Sequence, residues 1–135
     1  MRKTLLLALP FAAGLALALT AGAQPPPVLI GKVGLHNAFR ISLTFPGGKP
    51  VVTVPAGTYT IVVHDYSRIH NFALGSVTAN RRIFTGSIRG IGTKSYTVDL
   101  QPGTYAYACS AHFRTMNGTF TVTAVDTSST AATTG

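Results

Sequence analysis

The chain contains no glutamate and only three aspartates, Asp65, Asp99 and Asp126. Carboxylate pairs for acid–base chemistry are therefore scarce, and no carboxylate stands near the segment on which the chemistry below concentrates. There is one cysteine, Cys109, which excludes an internal disulfide. Beyond the first residues there is one methionine, Met116, so no methionine cluster is available to hold a soft metal. No window carries a helical period, and no segment repeats. These absences exclude a helical bundle, a disulfide-stapled scaffold and a repeat array.

What is present begins with an amino-terminal leader. Arg2 and Lys3 precede an apolar run from Leu5 to Leu19, and Ala21-Gly22-Ala23 follows with the small residues a signal peptidase reads. Residues 1–23 are therefore expected to be a cleavable signal peptide, with no membrane span in the mature protein and a periplasmic or secreted location. Residues 24–27 form a stiff Pro-rich lead-in, residues 28–125 a single domain, and residues 126–135 a Ser/Thr/Ala-rich disordered tail. Without Arg2 and Lys3, nine basic residues face three acidic ones, a formal charge of about +6. The basic residues are spread singly apart from Arg81-Arg82, which argues against nucleic acid and for a protein partner with an acidic docking surface.

From Val28 onward, short segments rich in Val, Ile, Thr, Tyr and Phe alternate with Gly and Pro turns, the pattern of an all-β domain. The expected fold is a Greek-key β-sandwich or barrel of about seven to eight strands. The strands expected are Val28–Val33, Phe39–Phe45, Val51–Val54, Tyr59–His64, Ile69–Leu74, Lys94–Leu100, Thr104–Cys109 and Gly118–Ala124. Tyr59, Ile61 and Val63 share one face, as do Tyr96, Val98 and Leu100. Residues 76–92 read as a long loop or a weak edge strand.

The segment from Cys109 to Met116 concentrates the chemistry. It carries a thiolate, an imidazole at His112 and a thioether at Met116, three donors that a soft transition metal prefers. A strand ending in Cys109 sets the thiolate at one tip of the sandwich, where loops carry binding groups. A second histidine, such as His70, would complete a trigonal Cys-His-His set with a weak axial methionine, the ligand set of blue copper. In an exported protein a metal-bound thiolate also accounts for a cysteine without a partner.

The segments Ile69-His70-Asn71-Phe72, Tyr107-Ala108-Cys109-Ser110-Ala111-His112 and Met116-Asn117-Gly118-Thr119-Phe120 resemble those of the small cupredoxins, the plastocyanin-like type 1 blue copper proteins. The resemblance spans about Val51 to Val125. It implies one copper per chain, held by His70, Cys109 and His112 with Met116 as axial ligand. It further implies that Asn71 ties the two ligand segments together near Ser110, with the Asn71 backbone N–H bonded to the Cys109 sulfur. Two features depart from the family. Three residues separate His112 from Met116, where plastocyanins have four and amicyanins two. Ala111 stands where plastocyanins have proline.

The function this implies is electron transfer between redox partners by a monomer, not enzymatic catalysis. Two others fit the sequence: a copper(I) carrier or storage protein, and a metal-free sandwich in which Cys109 is a small buried apolar residue and Met116 a core filler. His36, which also precedes an asparagine, is a rival ligand to His70. His64, beside Asp65, reads as a surface histidine, and Asn117-Gly118-Thr119 as a turn into the last strand.

Overall fold

The computed structural model describes residues 22–126. Nearly all of the expected leader, and the tail from residue 127, lie outside them. Among the described residues no helix is long and apolar enough to cross a membrane. The Pro-rich residues 24–27 are exposed and irregular.

Among the described residues nine strands form: β1 (Val28–Val33), β2 (Ile41–Thr44), β3 (Thr53–Pro55), β4 (Gly57–Asp65), β5 (Ala73–Ser76), β6 (Arg81–Thr85), β7 (Gly92–Leu100), β8 (Gly103–Ala108) and β9 (Asn117–Thr123). They make two sheets, ordered β2-β1-β4-β7 and β3-β9-β8-β5-β6. Both sheets are mixed, since β1 runs parallel to β4 and β3 parallel to β9. The all-β sandwich expected from the sequence is what forms, with nine strands instead of seven or eight.

Alternation builds the core. Tyr59, Ile61 and Val63 of β4 point inward to meet Leu29 and Val33 of β1, Val98 and Leu100 of β7, and Tyr105, Phe120 and Val122 of the facing sheet. Each such side chain, removed from water, contributes about 1.5–3 kcal/mol. Between the edge strands β6 and β7 the sandwich is closed by Phe84 stacked on Tyr96, ring centroids 3.8 Å apart and planes 6° apart. Of the long loop or weak edge strand expected over residues 76–92, the edge strand forms, as β6. Arg81–Thr85 forms a strand because Ile83 and Phe84 pack on the core.

A second difference bears on function. The segment Ile69–Leu74 is not a strand over its full length; β5 begins at Ala73. His70, Asn71 and Phe72 instead lie in the crossover from β4 to β5 and are all buried. Burial of Phe72, whose ring packs against the bare backbone of Gly31, turns the chain inward there. A Cβ at Gly31 would stand 2.9 Å from that ring.

Strand register brings four connections to one end of the sandwich. Val33, at the end of β1, pairs with Asp65 at the end of β4, which pairs with Gly92 at the start of β7. In the other sheet Ala73 pairs with both Thr85 and Ala108, and Ala108 with Asn117. The segments 34–40, 66–72, 86–91 and 109–116 therefore all converge at that end.

Candidate metal centre

Three of the four residues singled out as ligands converge in this cluster of loops. Among the described residues, His70, Cys109 and His112 form a group whose donor atoms all lie within 4.8 Å of one another. The two Nδ1 atoms are 3.1 Å apart, and the Cys109 sulfur lies 3.9 Å from Nδ1 of His70 and 3.6 Å from that of His112. A point in the plane of these atoms is about 2.1 Å from each, within the roughly 2.0–2.3 Å at which histidine nitrogen and cysteine sulfur bind a first-row ion. The donors present therefore fit a single metal ion. No carboxylate belongs to the group.

Each donor is set by its own segment. Cys109 follows directly on β8 and is fully buried. Its N–H donates to the Met116 carbonyl at 3.0 Å, which extends the β8–β9 ladder one pair beyond the strands and closes the ligand loop at its base. Within the loop, the His112 N–H donates to the Cys109 carbonyl at 3.1 Å. The His112 carbonyl accepts from the N–H groups of Thr115 and Met116 and from the Thr115 hydroxyl. The Asn117 amide donates to the Phe113 carbonyl at 2.7 Å, so the residue read as a turn into β9 also braces the loop. With these bonds the loop is held without the proline that the family resemblance would place at Ala111. Met116 is buried in the core beneath this loop.

His70 is completely buried and its ring is oriented from the far side. Nε2 points at the Asn37 carbonyl in a long contact of 3.5 Å, which favours a proton on Nε2 and leaves the Nδ1 lone pair toward the cluster. Asn37 is held in turn, because its side-chain oxygen accepts from the Ser67 hydroxyl at 2.9 Å. The Ser67 N–H donates to Asp65 at 3.0 Å. Burial pushes the Asp65 carboxyl above its ordinary range, an effect reduced by the Ser67 N–H and by the nearby His70.

Asn71 links the two ligand segments directly. Its side-chain oxygen accepts from the Ser110 N–H at 2.8 Å and from the Ser110 hydroxyl at 3.1 Å, while its amide donates to the Gly86 carbonyl at 2.8 Å. Three of the four convergent loops are thus tied at one buried side chain. The expected bond from the Asn71 backbone N–H to the sulfur is not formed. The contacts of the Cys109 sulfur at hydrogen-bond range are the two imidazoles.

The rival histidines stand apart. His36 is exposed on the turn after β1 and His64 bonds Thr93 at 2.9 Å; neither belongs to the cluster. What the sequence reading missed is the loop from Gly34 to Arg40. Gly34, His36 and Asn37 all have left-handed backbones, with φ of 68°, 55° and 57°. A Cβ on Gly34 would lie 2.5 Å from the Ser67 Cβ and 3.0 Å from the His70 ring. Phe39, expected to open a strand, precedes β2 and sets its ring against both histidines of the cluster. The Gly-Leu-His-Asn run was the one available signal, since glycine and asparagine favour left-handed turns.

Two mixed β-sheets with a His-Cys-His cluster at one end give this chain the cupredoxin fold. Among solved structures it is similar to rusticyanin from Thiobacillus ferrooxidans, at 16% identity and TM-score 0.55, over 70% of this chain and 75% of that one. Another structure of rusticyanin, a copper protein, matches at 17% identity and TM-score 0.56, over 70% of this chain and 76% of that one. Auracyanin A, a "blue" copper protein from Chloroflexus aurantiacus, matches at 22% identity and TM-score 0.52, over 73% of this chain and 99% of its own. No protein-family model matches the chain, and no curated protein matches it by sequence.

Proposed function

We propose that this protein is an exported type 1 copper protein, plastocyanin-like in the order of its ligands, that carries single electrons between redox partners. The observation that carries the reading is the converged thiolate and two imidazoles, whose spacing fits one ion and whose donor types suit copper in both oxidation states. Bound copper would supply the one-electron couple. His70, Cys109 and His112 would hold it, and Met116, buried beneath the ligand loop, would be the fourth donor.

The chain's contribution is rigidity. Copper(II) and copper(I) favour different geometries, and a site that cannot relax toward either changes little when an electron arrives or leaves. The Asn71 ties, the bonds to the His112 carbonyl and the Asn37–His70 contact all resist such relaxation. Among the described residues no carboxylate joins the three donors, and electron transfer is the role that this donor set supports.

Partners would meet the protein at the end that bears the site. There His112 is part-exposed among Leu35, Phe39, Ile69 and Phe113, all apolar and exposed, with Arg40, Arg68 and Arg114 next to them in sequence. That arrangement suits a partner with an apolar centre and an acidic rim, docking on a monomer. Copper titration followed by voltammetry tests the reading. One copper per chain and a reversible one-electron wave, lost in Cys109→Ala, are expected. Bound copper that passes to an apo-acceptor and shows no reversible wave would favour a copper(I) carrier instead.

A further inference from the structure

The ring of Phe39 meets the imidazoles of His70 and His112 at the same centroid distance, 4.8 Å, with interplanar angles of 78° and 69°. The imidazoles are 4.9 Å from each other at 70°. The three rings thus form a near-equilateral triangle in which every pair is edge-to-face, an arrangement aromatic rings favour. Burial does not explain it, since Phe39 is 55% exposed. An aromatic ring left half in water, on a loop that uses three left-handed residues to place it, is held there for its contacts.

The loop is braced throughout. Gly34 N–H donates to the Arg40 carbonyl, Asn37 N–H to that of Gly34, Ala38 N–H to that of Leu35 and Arg40 N–H to that of Ala38. Ser67 fixes Asn37 from the other side. This single loop delivers both the carbonyl facing His70 Nε2 and the ring against both imidazoles. It also separates the site from a groove lined by Lys32, Leu35, Arg40, Ile41 and Thr115, in which Phe39 forms part of the wall and neither ligand histidine is reached.

We propose that Phe39 is a positioning residue for the metal centre: its ring locks the planes of both imidazoles, so that the two Nδ1 atoms face the same point before any ion binds. His112 needs such a brace. It sits on a short loop and is part-exposed, and its ring meets Cys109, His70 and Phe39.

The test compares Phe39→Leu, which keeps apolar bulk and removes the ring, with Phe39→Tyr, which keeps the ring. The first measurement needs no metal: imidazole nitrogen NMR of the copper-free protein, reading ring order at His70 and His112. The wild type and Phe39→Tyr should show ordered rings, and Phe39→Leu broadened, mobile ones. The second rests on the copper reading above and follows copper(II) release to excess EDTA. Phe39→Leu should release copper about tenfold faster, the low end of what loss of a ligand-orienting contact produces, while Phe39→Tyr stays within about twofold of wild type. Unchanged ring order in Phe39→Leu, or a Phe39→Tyr variant as disordered as Phe39→Leu, overturns the proposal. A wild type that takes up no copper would defeat the copper reading alone, because the first measurement still decides the role of Phe39. Should Phe39→Leu not fold, Phe39→Met supplies the same ring deletion.

Discussion

Removing the Asn71 side chain should cost more than removing any other single polar group of the site. Asn71 is 1% exposed and holds Ser110 of the ligand loop and Gly86 of the β6–β7 connection to the His70 crossover. In Asn71→Ala the Ser110 hydroxyl can turn to water, because Ser110 is exposed. The Ser110 N–H and the Gly86 carbonyl are left without partners, at about 1–3 kcal/mol for each group that stays buried. Water entering the space left by the amide would recover part of this, so we expect a loss of about 3 kcal/mol. For a domain of this size that lowers Tm by on the order of 15 °C. Denaturant unfolding of the copper-free protein measures it, with the slope m unchanged if the native fold is otherwise intact. A companion variant tests the reasoning from the other side. Asn71→Asp keeps the acceptor toward Ser110 but opposes a second oxygen to the Gly86 carbonyl. Protonation of the new carboxyl restores a donor, so this variant should be favoured at low pH and lose stability as pH rises through the carboxylate range. A loss below about 1 kcal/mol in Asn71→Ala would refute the claim that this side chain joins the loops.

Three further outcomes follow from the same contacts. Gly34→Ala should cost about 2–4 kcal/mol, from a left-handed backbone (φ 68°) and a Cβ driven into Ser67 and the His70 ring; chemical denaturation reads it, and a cost near zero would show that the loop is free to move. Met116→Leu should leave stability within about 1.5 kcal/mol, since the volumes match. On the proposed role of Met116 as a donor to copper(II), it should raise the reduction potential by on the order of 60 mV or more, the shift for tenfold weaker copper(II) binding, as voltammetry would show. Asp65→Asn keeps an acceptor for the Ser67 N–H and removes a carboxyl whose ionisation burial disfavours. The folded-state value lies above the unfolded one, so the penalty is absent below the carboxylate range and appears as pH rises through it. Copper-free Asp65→Asn should therefore gain on the wild type between about pH 3 and pH 7 in parallel denaturation curves.

The sheet strands were legible because alternation marks them. Tyr59, Ile61 and Val63 read as one face and lie in the core together. The meeting of Cys109 and His112 was legible because the two are close in sequence, and their donor atoms stand 3.6 Å apart. The His70 segment was read as a strand because Ile69, Phe72 and Leu74 supply apolar residues. The side chains of Ile69 and Phe72 do not obey a two-residue period there: Ile69 is exposed while His70, Asn71 and Phe72 are buried in succession. That pattern belongs to a crossover passing between sheets. Loop 34–40 stayed hidden for a different reason. Its role depends on three left-handed residues and on a packing of Gly34 against Ser67, a contact across more than thirty residues that no local pattern encodes. Asn71 was identified through family resemblance; its three bonds could not be read from composition or spacing.

The visible absorption spectrum of the copper(II)-loaded protein tests the central claim most directly, because the colour depends on the thiolate, the imidazoles and their geometry together. An intense blue thiolate-to-copper charge-transfer band at one copper per chain, abolished in Cys109→Ala, is the result expected. Copper bound without that band, or no copper bound at all, would contradict the account.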